Sequence, residues 1–195
     1  MASIVFITGA TSGFGKAMAV KFASHGYDLI INGRRRDRLE NLQQELCNHY
    51  NTAVLPLCFD IQNRKEVTET INGLSDQWKQ VSILINNAGL AAGRDYFEEA
   101  SLDDWDTMID TNVKGLLYVS RAVLPLLIKQ GQAQIINIGS IAGKEVYEKG
   151  NVYCASKYAV DAISQAMRID MLRHQIKVTS INPGAAETEF SIVRF

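Results

Sequence analysis

Tyr153 and Lys157 stand four residues apart in a stretch with helical periodicity, so their side chains share one face. A phenol with an ordinary pKa of about 10 is a poor proton shuttle at neutral pH. An ammonium beside it favours the phenolate and makes the pair a usable general acid and base. Tyr-x-x-x-Lys alone is a weak pattern, because most such pairs are surface neighbours. Ser140 lies in Gly139-Ser140-Ile141-Ala142, where a strand is expected to end. A hydroxyl there can donate to a substrate oxygen as charge develops on it, or simply cap a turn. Asn112 interrupts a largely apolar helix, and its plain reading is a satisfied buried amide.

A second group of residues has the chemistry of phosphate binding. Thr8-Gly9-Ala10-Thr11-Ser12-Gly13-Phe14-Gly15 follows the first apolar run and opens the first helix. Gly9, Gly13 and Gly15 let the chain turn sharply and let a pyrophosphate approach. Thr11, Ser12 and Phe14 lie on the turn, beside the free N–H groups of the helix N-terminus. The competing reading is a tight strand-to-helix turn. At the end of the second run, Asn32-Gly33-Arg34-Arg35-Arg36 replaces the carboxylate that would hold a free ribose 2′-hydroxyl. Arg34 and Arg35 suit a 2′-phosphate, which points to NADP over NAD. A solvated basic turn is the alternative, strongest at Arg36. Asp60 and Ile61 close the third run, where an adenine can lie. Asn87, Ala88 and Gly89 close the fourth, where small residues admit a ribose.

These groups need a frame. Strands are expected at Ile4–Ile7, Asp28–Asn32, Val54–Cys58, Ile83–Asn86, Gln134–Ile138 and Lys177–Ile181. Helices are expected at Gly15–His25, Asp37–Tyr50, Lys65–Trp78, Trp105–Lys129 and Val152–His174. Strand and helix in alternation give an α/β, doubly wound parallel sheet, a Rossmann fold with helices on both faces. No linker or repeat divides residues 1–195, so we read one dinucleotide-binding domain. The chain stops soon after Asn182-Pro183-Gly184, without a closing strand or helix, and reads as truncated there.

The 195 residues carry 20 Lys and Arg against 21 Asp and Glu, with no basic block, which argues against a nucleic-acid partner. The N-terminal apolar run is too short for a signal core, and Gly115 to Ile128 is too short to span a bilayer; a cytoplasmic enzyme is expected. Three cysteines without a Cys-x-x-Cys pair imply neither disulfides nor zinc. His25, His49 and His174 read as solvated, Trp78 and Trp105 as packing residues, and no metal is expected.

Taken together, Thr-Gly-x-x-x-Gly-x-Gly, Asn-Asn-Ala-Gly, Ser140 and Tyr153-x-x-x-Lys157 resemble the short-chain dehydrogenase/reductase family along nearly the whole chain. The resemblance implies an oxidoreductase moving a hydride between NADP and an alcohol or carbonyl carbon. Ser140 would orient the substrate oxygen and Tyr153 would pass the proton. Lys157 would bind the nicotinamide ribose and lower the Tyr153 pKa, and Asn112 would hold a relay water. Pro183, Gly184 and Thr188 would touch the cofactor. Gly33 to Arg35, Asp104 to Asn112, Gly150 to Tyr153 and Glu187 to Phe195 are similar to NADP-dependent 3-hydroxy acid dehydrogenases, which act on serine and related acids or reduce malonic semialdehyde. Arg194 is then the candidate clamp for the substrate carboxylate. Other readings are a short-chain reductase for a ketoacyl thioester or sugar, and a dinucleotide sensor without turnover. A homo-oligomer, dimer or tetramer, is also implied. Its seam would run along the two long helices through Leu116, Val119, Val123, Leu126, Leu127, Ile163, Ala166 and Ile169.

Overall fold

The computed structural model describes residues 3–186. Six parallel strands form one sheet in the order β3-β2-β1-β4-β5-β6. They are β1 (Ile4–Ile7), β2 (Asp28–Gly33), β3 (Val54–Cys58), β4 (Val81–Asn86), β5 (Ala133–Ile138) and β6 (Ile176–Ile181). The reversal between β1 and β4 leaves a crevice at their carboxyl ends, where open α/β sheets take ligands. Alternation along each strand divides the core. Val5, Ile7, Leu29 and Ile31 pack under α1 (Gly13–Ala23) and α2 (Arg36–His49), with Ala19, Leu39, Leu42 and Leu46. Ile4, Phe6, Ile30 and Leu84 point the other way, against Val67 and Ile71 of α3 (Arg64–Asn72) and against α5 (Leu116–Gln130). The strands are therefore apolar on both faces, as a covered parallel sheet requires.

Three expected helices are divided differently. The third ends at Asn72 because Gly73 caps it, its N–H turned to the carbonyls of Glu69 and Ile71; a separate 3-10 turn covers Asp76–Lys79. The fourth begins earlier, as α4 (Leu102–Ile109), where Ser101 accepts from the Asp104 N–H. One π-helical turn over Asp110–Gly115 then separates α4 from α5. A Cβ on Gly115 would lie 2.6 Å from Ile61 Cδ1, so a larger residue there would have to push the Ile61 side chain aside. The last helix, α6, spans Asn151–Met171 and tightens into a 3-10 turn at Leu172–His174.

The expected oligomer seam is corrected on α5. Leu116, Val119, Val123, Leu126 and Leu127 are buried within this chain, because they form the face of α5 that covers the sheet. On α6, Ile163 is half-buried while Ala166 and Ile169 are exposed. Trp78 packs partly against the main core. Trp105 packs against Phe97, ring centres 4.8 Å apart. His25 and His49 are exposed and His174 is half-buried. The three cysteines are free thiols. Among the described residues no helix is long and apolar enough to cross a membrane.

Candidate active site

The glycine turn after β1 is held from below. Thr8 Oγ1 accepts from the backbone N–H groups of Asn87 and Ala88, at 3.0 Å each. The Asn87 side chain in turn donates to the carbonyls of Thr8 and Gly9 at 2.9 and 3.0 Å. Asn87 is thus spent on fixing the turn. Gly9 and Gly13 adopt φ of +64° and +51°, which most side chains resist. A Cβ on Gly15 would lie 2.1 Å from the Gly9 carbonyl oxygen, so the turn and the first turn of α1 are in backbone contact. Ser12 caps α1 without a side-chain bond and no acid sits in its first turn. The N–H groups there remain available to an anion.

At the end of β2 the guanidinium of Arg34 lies 3.6 Å from the Asp60 carboxylate, and Arg35 donates to Thr11 Oγ1 at 3.2 Å. Asn32 is buried and ties β2 to β3 by donating to the carbonyls of Leu57 and Phe59. This fixes the spacing between Arg34 and Asp60.

At the carboxyl ends of β4 and β5 stand Ser140, Tyr153 and Lys157. Ser140 caps the 3-10 turn Ile141–Gly143, its Oγ accepting from the Ala142 N–H at 3.1 Å. The capping reading holds, and the acceptor role leaves the hydroxyl proton for another oxygen. Tyr153 and Lys157 are 7% and 6% exposed. The Lys157 Nζ lies 6.0 Å from the Tyr153 ring centre and donates to the Ile138 carbonyl at 3.0 Å. Burial lowers the Lys157 pKa from 10.5 to about 8, because desolvation disfavours the ammonium.

Both amide protons of Asn112 are engaged by protein. Its Oδ1 accepts from Leu90 N–H, and its Nδ2 donates to Leu90 O and to Ser156 Oγ, at 2.8, 2.8 and 3.0 Å. Ser156 donates onward to the Tyr153 carbonyl at 2.8 Å. Ser156 was missed in the sequence, although its spacing of three from Tyr153 puts it on the same helix face. Gln62 was missed as well; it donates to Thr111 Oγ1 at 2.7 Å and joins the β3 exit to the π turn.

A single cavity of about 1210 Å³ joins both ends of this arrangement. Its wall includes Gly9, Thr11, Ser12, Gly13 and Phe14, then Arg34, Arg35, Asp60 and Ile61. Asn87, Ala88, Gly89, Ser140, Tyr153, Lys157, Pro183 and Gly184 also line it. Gly15 and Asn112 lie behind the wall as supports. Thr188 and Arg194 lie outside the described residues.

This fold and site define a dinucleotide-dependent oxidoreductase, and residues 3–194 match the short chain dehydrogenase family. The chain belongs to that family. It is 46% identical over 193 residues to the NADP-dependent 3-hydroxy acid dehydrogenase YdfG of Salmonella typhi, covering 98% of this chain and 76% of the relative. It is also 46% identical to Sulfoacetaldehyde reductase 2 of Chromohalobacter salexigens, covering 100% of this chain and 77% of that protein. Among solved structures, the closed form of serine dehydrogenase complexed with NADP+ superposes with a TM-score of 0.91 at 45% identity, covering 98% of this chain and 76% of that one.

Proposed function

We propose that the protein is an NADP-dependent dehydrogenase of small 3-hydroxy acids such as serine or 3-hydroxypropionate, working as a semialdehyde reductase in reverse. The observation that carries this is the continuous cavity with Arg34 and Arg35 at one end and Ser140, Tyr153 and Lys157 at the other. Its volume of about 1210 Å³ exceeds that of most small-ligand sites and suits a dinucleotide with a substrate beside it. The glycine turn leaves no Cβ between the backbone and a pyrophosphate, and Arg34 and Arg35 suit a 2′-phosphate. NADP, when bound, supplies the carbon that accepts a hydride from the alcohol carbon.

The chain's own residues handle the proton. Ser140 donates to the substrate oxygen and holds it beside Tyr153. The Tyr153 phenolate takes the hydroxyl proton as the carbonyl forms, and returns it in the reductive direction. Lys157 stabilises that phenolate and would bond the nicotinamide ribose. Asn112 supports this centre through Leu90, Ser156 and the Tyr153 carbonyl. The relay water assigned to it would have to bind elsewhere than at its amide protons, both of which are used. Arg194 is the proposed clamp for the substrate carboxylate.

The identity to a sulfoacetaldehyde reductase favours a second substrate class, in which a sulfonate takes the place of the carboxylate. We also propose self-association through the exposed face of α6 at Ala166 and Ile169. The test is Tyr153→Phe in the full-length protein. Turnover of serine, 3-hydroxypropionate and sulfoacetaldehyde should fall at least about a hundredfold while NADP still binds. Substantial residual turnover would remove Tyr153 from the chemistry.

A further inference from the structure

The charges on the cavity wall are unevenly balanced. Among the described residues two acids line it, Asp60 and Glu145. Asp60 is matched by Arg34. Glu145 makes no ion pair or side-chain hydrogen bond within the described chain, although a lysine precedes it and another follows four residues on. Lys144 is turned away into a 2.7 Å bridge with Asp161. Lys149 lies 4.3 Å from the centre of the Tyr96 ring. The cations that do line the cavity are Arg34 and Arg35 at the far end, and Lys157, buried beside Tyr153.

Glu145 also stands in a fixed place. It ends the turn that Ser140 caps, with its N–H bonded to the Ile141 carbonyl at 2.9 Å. Tyr158 OH donates to the carbonyl of Lys144 at 2.5 Å, and Tyr96 OH donates to Glu148 at 2.8 Å. Asn151 donates to the Asp95 carbonyl at 3.3 Å. The segment between Ser140 and Tyr153 is thus pinned on both sides, and it sets Glu145, an acid without an ion-pair partner among the described residues, in the wall of the cavity that Ser140 and Tyr153 also line.

We propose that Glu145 selects substrates by charge, favouring a hydroxy acid that carries an ammonium next to the reacting carbon, a 2-amino-3-hydroxy acid, over one that is purely anionic. This rests on the dehydrogenase reading above and sharpens its substrate class. A carboxylate on the wall attracts the ammonium and repels a second carboxylate. Both substrates carry a carboxylate that Glu145 repels, and only the amino acid carries an ammonium that it attracts, closer to the wall, so the balance favours the amino acid. A unit charge about 6 Å away, in a dielectric between that of water and that of the protein surface, changes their ratio by about tenfold.

The test compares kcat/KM for serine and for 3-hydroxypropionate in full-length wild type, Glu145→Gln and Glu145→Asp. Glu145→Gln should lower the serine to 3-hydroxypropionate ratio about tenfold, with loss on serine and gain on the acid. Glu145→Asp should keep most of the ratio. An unchanged ratio, or an equal fall for both substrates, overturns the proposal. A measurement without turnover separates this from the function itself. Ethanolamine and 3-hydroxypropionate are titrated into the NADPH complex, followed by nicotinamide fluorescence. Glu145→Gln should weaken the amine and tighten the acid, each about threefold. Wild type that turns over neither acid, yet shows this shift, refutes the dehydrogenase reading and leaves charge selection standing. No shift in either affinity overturns the role of Glu145.

Discussion

The Asn112 amide donates to Ser156 Oγ at 3.0 Å, and Ser156 hands the bond on to the Tyr153 carbonyl at 2.8 Å. Three elements meet there: the π turn, the loop after β4 and the helix that carries Tyr153. Ser156 and Asn112 are 0% and 2% exposed, so no water competes for these bonds.

Removing the middle partner leaves a buried donor unmet. Ser156→Ala should cost about 1–3 kcal/mol of stability and lower kcat more than it raises the KM for NADP. Urea unfolding with steady-state kinetics checks both. Asn112→Ala should cost more, because it also frees both backbone groups of Leu90.

Lys157 gives a pH dependence with a definite sign. Its folded pKa is about 8 against 10.5 in the unfolded chain. The charged form is therefore penalised in the folded state, fully below about pH 8, and the penalty fades as pH rises toward 10.5. Lys157→Met should be more stable than wild type at pH 7, by about 1–3 kcal/mol once the lost bond to Ile138 is counted. That advantage should vanish by pH 10.5. A gain independent of pH would show that desolvation of the ammonium is not its source.

Cofactor choice rests on Arg34 and Arg35. Replacing both with Ala should weaken NADP binding by tenfold or more and leave NAD nearly unchanged. Isothermal titration with each dinucleotide decides it. Equal loss for both would mean that the arginines serve only the fold, through Asp60 and Thr11.

Gly15→Ala should be among the most damaging single-methyl additions. The new carbon would sit 2.1 Å from the Gly9 carbonyl and 2.5 Å from Asn87 Nδ2. The glycine turn must shift, so NADP affinity should drop by a hundredfold or more even if the protein folds. Gly26→Ala, where nothing lies within 4 Å but φ is +77°, should cost only about 1 kcal/mol and leave cofactor binding intact.

The sequence by itself determined the sheet, because strands apolar on both faces and separated by amphipathic helices can be buried only as a covered parallel sheet. It also determined which residues could do chemistry: the glycine turn, the two arginines, Ser140, Tyr153 and Lys157 are recognisable by type and by position at strand ends. Tertiary structure alone decided the supports. The π turn at Asp110–Gly115 leaves no local signal, because it depends on Asn112 reaching Leu90 and on Ile61 packing against Gly115. Periodicity on α5 and α6 showed that apolar faces existed but not what covered them, and the sheet of the same chain took the α5 residues that a partner subunit was expected to bury. The unmatched charge of Glu145 follows the same logic. Two lysines flank it in sequence, and only the contacts that draw them to Asp161 and Tyr96 leave its carboxylate alone on the wall.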